Sequence, residues 1–551
     1  MTAAAARASL LHRLASEPFD VLVVGGGATG AGIARDAALR GLSVALVDAG
    51  DFAGQTSSHS SKLIHGGLRY LQYGDLSLVF EGLRERRRLM ATAPHLCRPI
   101  EFVFPAYHGE RPALAELAAG VALYNALALW RPPAAGRRLD AHGLYRLAPH
   151  LRAAGLSGAQ LYVDCQTDDA RLVLENALDA IAAGAACANH VGVETILRDR
   201  QGRARGATVV DSETGARFEV RARVVVSATG PFTDGFLGGP RRLRPTLGVH
   251  LVVDAARVPH DGRALVLRTP QDNRLYFVLP AGPRTIVGTT DTDFAPTEDP
   301  ERAPRVGDRI RAQGSDVAYL LGALNHAFPS LRLGPDDVLS TFAGLRPLLA
   351  GRAQTPSETS REHTIAAASD RTVVVAGGKL TTLRRIGEET VDLVAELLRA
   401  GGLERELAPC ATATRPLPGA AGDAAHARPD LDGLPNDVRA RLGCYGQRAA
   451  SVLALAEEMP ELAGRIDPGL PYLWAEVLHA ARFEEARRLN DVLIRRVPLF
   501  RDAADQGLAA ADRAARLVAA ELGWSPQRRD AELAAHREAV ALSRRWRDEM
   551  S

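Results

Sequence analysis

Only two of the 67 basic side chains in this 551-residue chain are lysines, Lys62 and Lys379. A composition that leans so far toward arginine is expected to keep lysine where a compact point charge serves and a planar fork does not. Both lysines sit beside motifs, SSKLIHGG and AGGKLTTLRR, so both are read as functional. A third signature lies upstream. Gly25, Gly27 and Gly30 fall on G-x-G-x-x-G directly after the apolar run Val21–Val24. The first glycine makes a tight turn, the second lets backbone N–H groups approach a pyrophosphate, and the third lets the following helix close on the sheet. The helix predicted over Thr29–Arg40 aims its positive end at those phosphates. Gly41 stops it, and Leu42–Val47 reads as a second strand closed by Asp48. An acid about 20 residues after the first glycine suits a ribose diol. It would repel a 2′-phosphate, which argues against NADP.

The elements that must position these groups follow in order. Thr56–Tyr70 is rich in hydroxyls, which both donate and accept, so Thr56, Ser57 and Ser61 are expected at a cofactor together with Lys62. Gly66 and Gly67 allow close approach to a flat ring system, and Arg69 and Tyr70 follow into the same pocket. The buried strand of RVVVSATG ends on Gly230, a second turn able to face a cofactor. A third unit runs from the strand Thr372–Ala376 through Gly377, Gly378 and Lys379 into a helix over Thr381–Leu398, placing positive potential on an anion. Between these units, residues 243–293 are dense in strands, the pattern of an inserted mixed or antiparallel sheet. His250 sits there among apolar neighbours, where a lone histidine is ordinarily structural. Arg346 in TFAGLRP and Arg361 in SREHT stand in turn-like surroundings. Residues 408–435 read as a Pro/Ala/Gly linker, and 436–551 as a helical domain with no chemistry of its own.

Composition narrows the partners. A net charge of +2 gives no ground for nucleic acid or another polyanion. The five cysteines are scattered without a C-x-x-C pair, so no metal or iron–sulfur site is expected, and the pattern fits a reducing cytoplasm. The N-terminus carries no secretory signal pattern. Pro112–Trp130 is nearly charge-free but alanine-rich; it is either a buried helix or an interfacial one with Trp130 and Arg131 at its end.

Taken together, SSKLIHGGLRYL, DDARLVL, ATGP, IVGTTD, GLRPL, SREHT and GGKLTT resemble, in order, the motifs of the respiratory FAD-dependent glycerol-3-phosphate dehydrogenases. The resemblance covers roughly the first 400 residues and continues more weakly into the tail. It implies an α/β fold: a Rossmann-like FAD-binding domain (1–95, 165–240 and 345–405), an inserted mixed-sheet substrate or cap domain (96–164 and 241–344), and a C-terminal all-helical domain (410–551). It implies FAD rather than NAD, and oxidation of glycerol 3-phosphate to dihydroxyacetone phosphate by hydride transfer. Electrons would pass to a quinone, with peripheral attachment to the inner face of the cell membrane; a homodimer is compatible. The family's substrate positions match Arg69, Tyr70, His250, Arg346, Arg361 and Lys379, with His250 as base and Arg346 and Lys379 acting on charge in the reaction. A phosphate dianion calls for such charge-assisted donors, and a histidine suits proton abstraction near neutral pH. Two features depart from the family pattern. Leu247 and Val249 stand where it usually has Lys and Ser, and the tail reads RRVP at Arg495–Pro498 where it has an RRT-type motif. The competing readings are a flavin oxidase using oxygen and a flavin-binding protein without turnover.

Overall fold

The apolar run Val21–Val24 ends the strand Pro18–Val24, which is buried at every position but its first. It lies between parallel strands on both sides, Val44–Val47 and Arg217–Ser227, and a strand so enclosed must be apolar on both faces. Ala186–Ala188 and Val373–Gly377 extend the parallel core outward, and antiparallel strands complete an eight-stranded sheet. This computed structural model describes residues 3–129, 133–134, 136–237, 242–294, 310–350, 362–420 and 430–550.

The helix Ala28–Leu39 packs on this sheet between the helices Asp169–Ala182 and Leu383–Ala400. Its small residues permit the approach. A Cβ on Gly30 would lie 1.7 Å from the Gly25 carbonyl oxygen, and one on Gly387 would lie 2.8 Å from that of Gly32. Here the third glycine of the fingerprint closes helix on turn, as its spacing predicts.

The second sheet has ten strands and is mixed. Its long members are Arg98–Tyr107, Leu156–Gln166, Leu243–Asp254 and Val338–Leu349. Most pairs are antiparallel, with Ala264–Arg268 parallel to Arg98–Tyr107. The strand Leu63–Ile64 also belongs here, paired with Leu156–Gln166, although it falls inside the span 1–95 expected in the first domain. The chain therefore crosses between sheets just after the serine-rich stretch.

Residues 430–550 are helical apart from turns and one isolated bridge. They dock on the helix Asp169–Ala182 and on the second sheet through polar contacts. Arg171 forms a fully buried two-pronged pair with Glu484 (2.8 and 3.3 Å). Arg284 donates to the Asp502 carbonyl, and the Ser340 hydroxyl to that of Arg501.

Candidate active site

A cleft of about 820 Å³ opens where the parallel strands end against the second sheet. That is within the ~300–1,000 Å³ usual for ligand sites. Gly25 is forced at its floor: its φ is +105°, and a Cβ would lie 2.5 Å from the Ala228 carbonyl oxygen. Asp48 organises the turn. One carboxylate oxygen accepts the Gly26 N–H (2.6 Å) and the other the Gly50 N–H (2.7 Å). Desolvation raises its pKa against these two donors. Ser57 accepts the Ala28 N–H with its hydroxyl oxygen at 2.9 Å, and the remaining first-turn N–H groups of this helix have no partner within it.

The other end of the cleft is cationic. Arg346 is anchored by Asp291 (2.9 Å), the Thr289 hydroxyl (2.8 Å) and the Thr290 carbonyl (3.1 Å). Its guanidinium lies flat on Gly248, where a Cβ would come within 2.4 Å of Nη2. Lys379 precedes the turn Leu380–Thr382, and its ammonium stands 3.8 Å from the centroid of the Tyr70 ring, a cation–π distance. His250 is buried and stacked on Phe342 (centroids 4.6 Å apart, 12°), with Gly288 on its edge. Its Nε2 is 2.9 Å from the Ser61 hydroxyl, while Nδ1 is buried without a hydrogen-bond partner. Burial, then the charges of Arg346 and Lys62, hold its pKa well below the ordinary histidine value. The imidazole is therefore neutral at pH 7.

Of the expected residues, Gly25, Gly27, Asp48, Thr56, Ser57, Ser61, Tyr70, Gly230, His250, Arg346, Gly378 and Lys379 all line this one cleft. Four described residues do not. Gly30 lies behind the turn in the helix contact. Gly67 (φ +83°) makes room for the Tyr70 ring, which a Cβ would meet at 2.2 Å. Lys62 has a positive φ and turns inward, where its ammonium meets Asp169 (2.5 Å) and the Ser58 carbonyl; it holds the serine-rich loop rather than lining the cleft. Arg69 is half-buried on the 3₁₀ turn Leu68–Tyr73, next to Tyr70 but not itself in the cleft wall. Arg361, Trp130 and Arg131 lie outside the described residues.

Sequence reasoning passed over Asp291, Gly248 and Phe342, which anchor Arg346 and fix His250. Asp291 ends the IVGTTD motif and was legible as such; the other two are set by cross-strand register, with Phe342 opposite His250 and Gly248 two residues along from Thr246, which stands opposite Arg346. Asp51, His190 and Asp491 bring three ligand-type atoms within 4.8 Å of one another. Arg495 and Arg496 already neutralise the two carboxylates, so the cluster needs no ion.

The glycine cradle, the ribose-type acid and the helix end fit a dinucleotide, and the cleft extends from them to the cationic end, as FAD requires. Residues 20–393 match the family model described as FAD dependent oxidoreductase, and residues 410–529 match the C-terminal domain of alpha-glycerophosphate oxidase. The chain is 39% identical to glycerol-3-phosphate dehydrogenase 2 of Mycobacterium bovis, over 99% of this chain and 93% of that protein. It is 34% identical to the glycerol-3-phosphate dehydrogenase of Synechocystis, over 94% and 96%. The crystal structure of glycerol-3-phosphate dehydrogenase from Bacillus halodurans, complexed with FAD, superposes with a TM-score of 0.77 at 29% identity, over 98% of each chain.

Proposed function

The chain belongs to the FAD-dependent glycerol-3-phosphate dehydrogenase family, and from that premise we propose that it oxidises sn-glycerol 3-phosphate to dihydroxyacetone phosphate and passes the electrons to a membrane quinone. The observation that carries this is the meeting of Arg346, Lys379 and a neutral His250 in the same cleft as the dinucleotide cradle. Arg346 and Lys379 hold the phosphate dianion; Arg361 is kept as a third cation on its sequence position alone. Tyr70 fixes the Lys379 ammonium and presents a ring face to the substrate's carbon skeleton. FAD, when bound, supplies the acceptor for the hydride from C2. His250 takes the C2 hydroxyl proton at Nε2, since Nδ1 is sealed. The cations that disfavour an imidazolium are offset once a dianion is bound, so the base gains strength when substrate is present.

The quinone reading draws support from the surface. Leu76 and Phe80 on the helix Leu76–Thr92, and Leu123 and Leu129 on or just beyond the adjacent helix Leu114–Leu127, are exposed large apolar side chains. Arg84 and Arg87 follow on the outer face of the first helix. Apolar residues flanked by arginines suit an anionic lipid surface. No described helix is long and apolar enough to cross a membrane.

The test is anaerobic flavin reduction across a panel of alcohols. Bleaching by glycerol 3-phosphate, but not by a 2-hydroxy acid or an amino acid, is the expected result, and the reverse pattern defeats the proposal. Stoichiometric peroxide in air without quinone would replace the quinone acceptor with oxygen.

A further inference from the structure

We propose that Arg496, with Arg495 beside it, is a positioning residue for FAD: it acts from the C-terminal domain through Asp51 and sets how tightly the cofactor is held. The inference rests on the flavin reading above and extends it to a domain none of whose described residues lines the cleft; among the described residues the lining ends at Thr381.

The loop from Asp48 to Gly54 has two faces. On one, Asp48, Ala49, Gly50 and Gly54 line the cleft. On the other, the Asp51 carboxylate points into the tail and is buried. Its Oδ1 accepts from Arg496 Nη2 (2.9 Å) and Asn189 Nδ2 (3.0 Å); its Oδ2 accepts from Arg495 Nε (2.5 Å) and from Arg496 Nη1. Arg496 is fixed in turn by the Glu484 carbonyl (2.9 Å), and Arg495 by Asp491 (2.6 Å). Two arginines and two aspartates thus pair inside the fold, with His190 Nε2 2.8 Å from the second Asp491 oxygen, and removing one member of the charged set strands its partner.

What this cluster restrains is the cofactor turn. The Ala53 N–H donates to the Gly26 carbonyl, and the Gly50 N–H to Asp48, whose other oxygen holds Gly26. Ala53 sits at φ +58°, a left-handed conformation that a non-glycine residue keeps only where its surroundings impose it. Freed from the arginines, the loop has a reason to relax, and the Gly25–Gly27 turn would lose its second wall. The Glu484 side chain extends the restraint to the neighbouring loop. It pairs with Arg171, on the same helix as Asp169, whose carboxylate accepts from Ser60 and Lys62.

The experiment measures the FAD dissociation constant of the full-length protein by flavin fluorescence, without substrate. Arg496→Met should raise it at least tenfold. With FAD saturating, the flavin absorbance spectrum, the KM for glycerol 3-phosphate and the reduction rate should stay within about twofold. Asp51→Asn should behave alike, and the double variant should regain part of the affinity because the orphaned charge is gone. Should Arg496→Met not fold, Arg495→Met and Arg495→Lys serve instead: the first should weaken FAD severalfold and the second should largely restore it. A folded variant with lowered melting temperature but an unchanged FAD dissociation constant overturns the proposal. Failure of the wild-type chain to bind FAD would instead overturn the flavin reading.

Discussion

Arg346 and Arg496 are the same residue type in two regions that use it oppositely. In the cleft, Arg346 is pinned by one carboxylate and two neutral oxygens, with its fork against Gly248 and facing a cavity. At the junction with the tail, Arg496 is sealed, and its donors are spent on Asp51 and the Glu484 carbonyl. An arginine held beside open volume can bind a mobile anion, whereas one whose partners are built into the fold binds only the fold. Function here follows from what surrounds the guanidinium.

That contrast can be broken by experiment. The largest expected effect is at Arg346→Ala, which should lower kcat/KM for glycerol 3-phosphate on the order of 10³-fold with FAD still bound; steady-state kinetics and the flavin spectrum decide, and loss of flavin would place Arg346 among the cofactor's own contacts. His250→Asn should slow flavin reduction by about 10²-fold or more with a smaller change in KM, measured by stopped flow; an unchanged rate removes it as the base. Glu484→Gln should instead leave KM alone and cost about 3 kcal/mol of stability in denaturant titration, the usual outcome of breaking a buried pair.

A smaller effect is the response to acid. Burial lowers the pKa values of His250, His59 and His479, that of His479 to about 4. Below pH 6.5 the unfolded chain takes up protons at these sites that the native chain refuses. Stability should therefore fall as pH drops from 6.5 toward 4, by up to about 1.4 kcal/mol per pH unit for each such histidine. A melting temperature that is flat across this window would contradict it. The smallest effect closes the series: Arg217→Ala removes an exposed pair with Glu194 and should leave both activity and melting temperature unchanged.

Much of this was legible in the residues. The fingerprint glycines, Asp48 and the three strand–glycine–helix units are local patterns, and backbone sterics give each one meaning wherever it occurs. The isolation of two lysines among arginines marked both as special, but could not separate them. Lys379 meets Tyr70 in the cleft and Lys62 meets Asp169 beneath it, because the backbone at Lys62 turns left-handed and a helix beginning more than 100 residues later supplies its partner. The tail looked inert because its contacts with the cofactor domain are made by pairs such as Asp51 with Arg496, joined across 445 positions of sequence. Sequence by itself determined the cofactor cradle and the kinds of charge available. Only tertiary structure decided which charges face the cavity and which are consumed inside the fold, since a buried ion is defined by its partners and those are set by packing between distant elements.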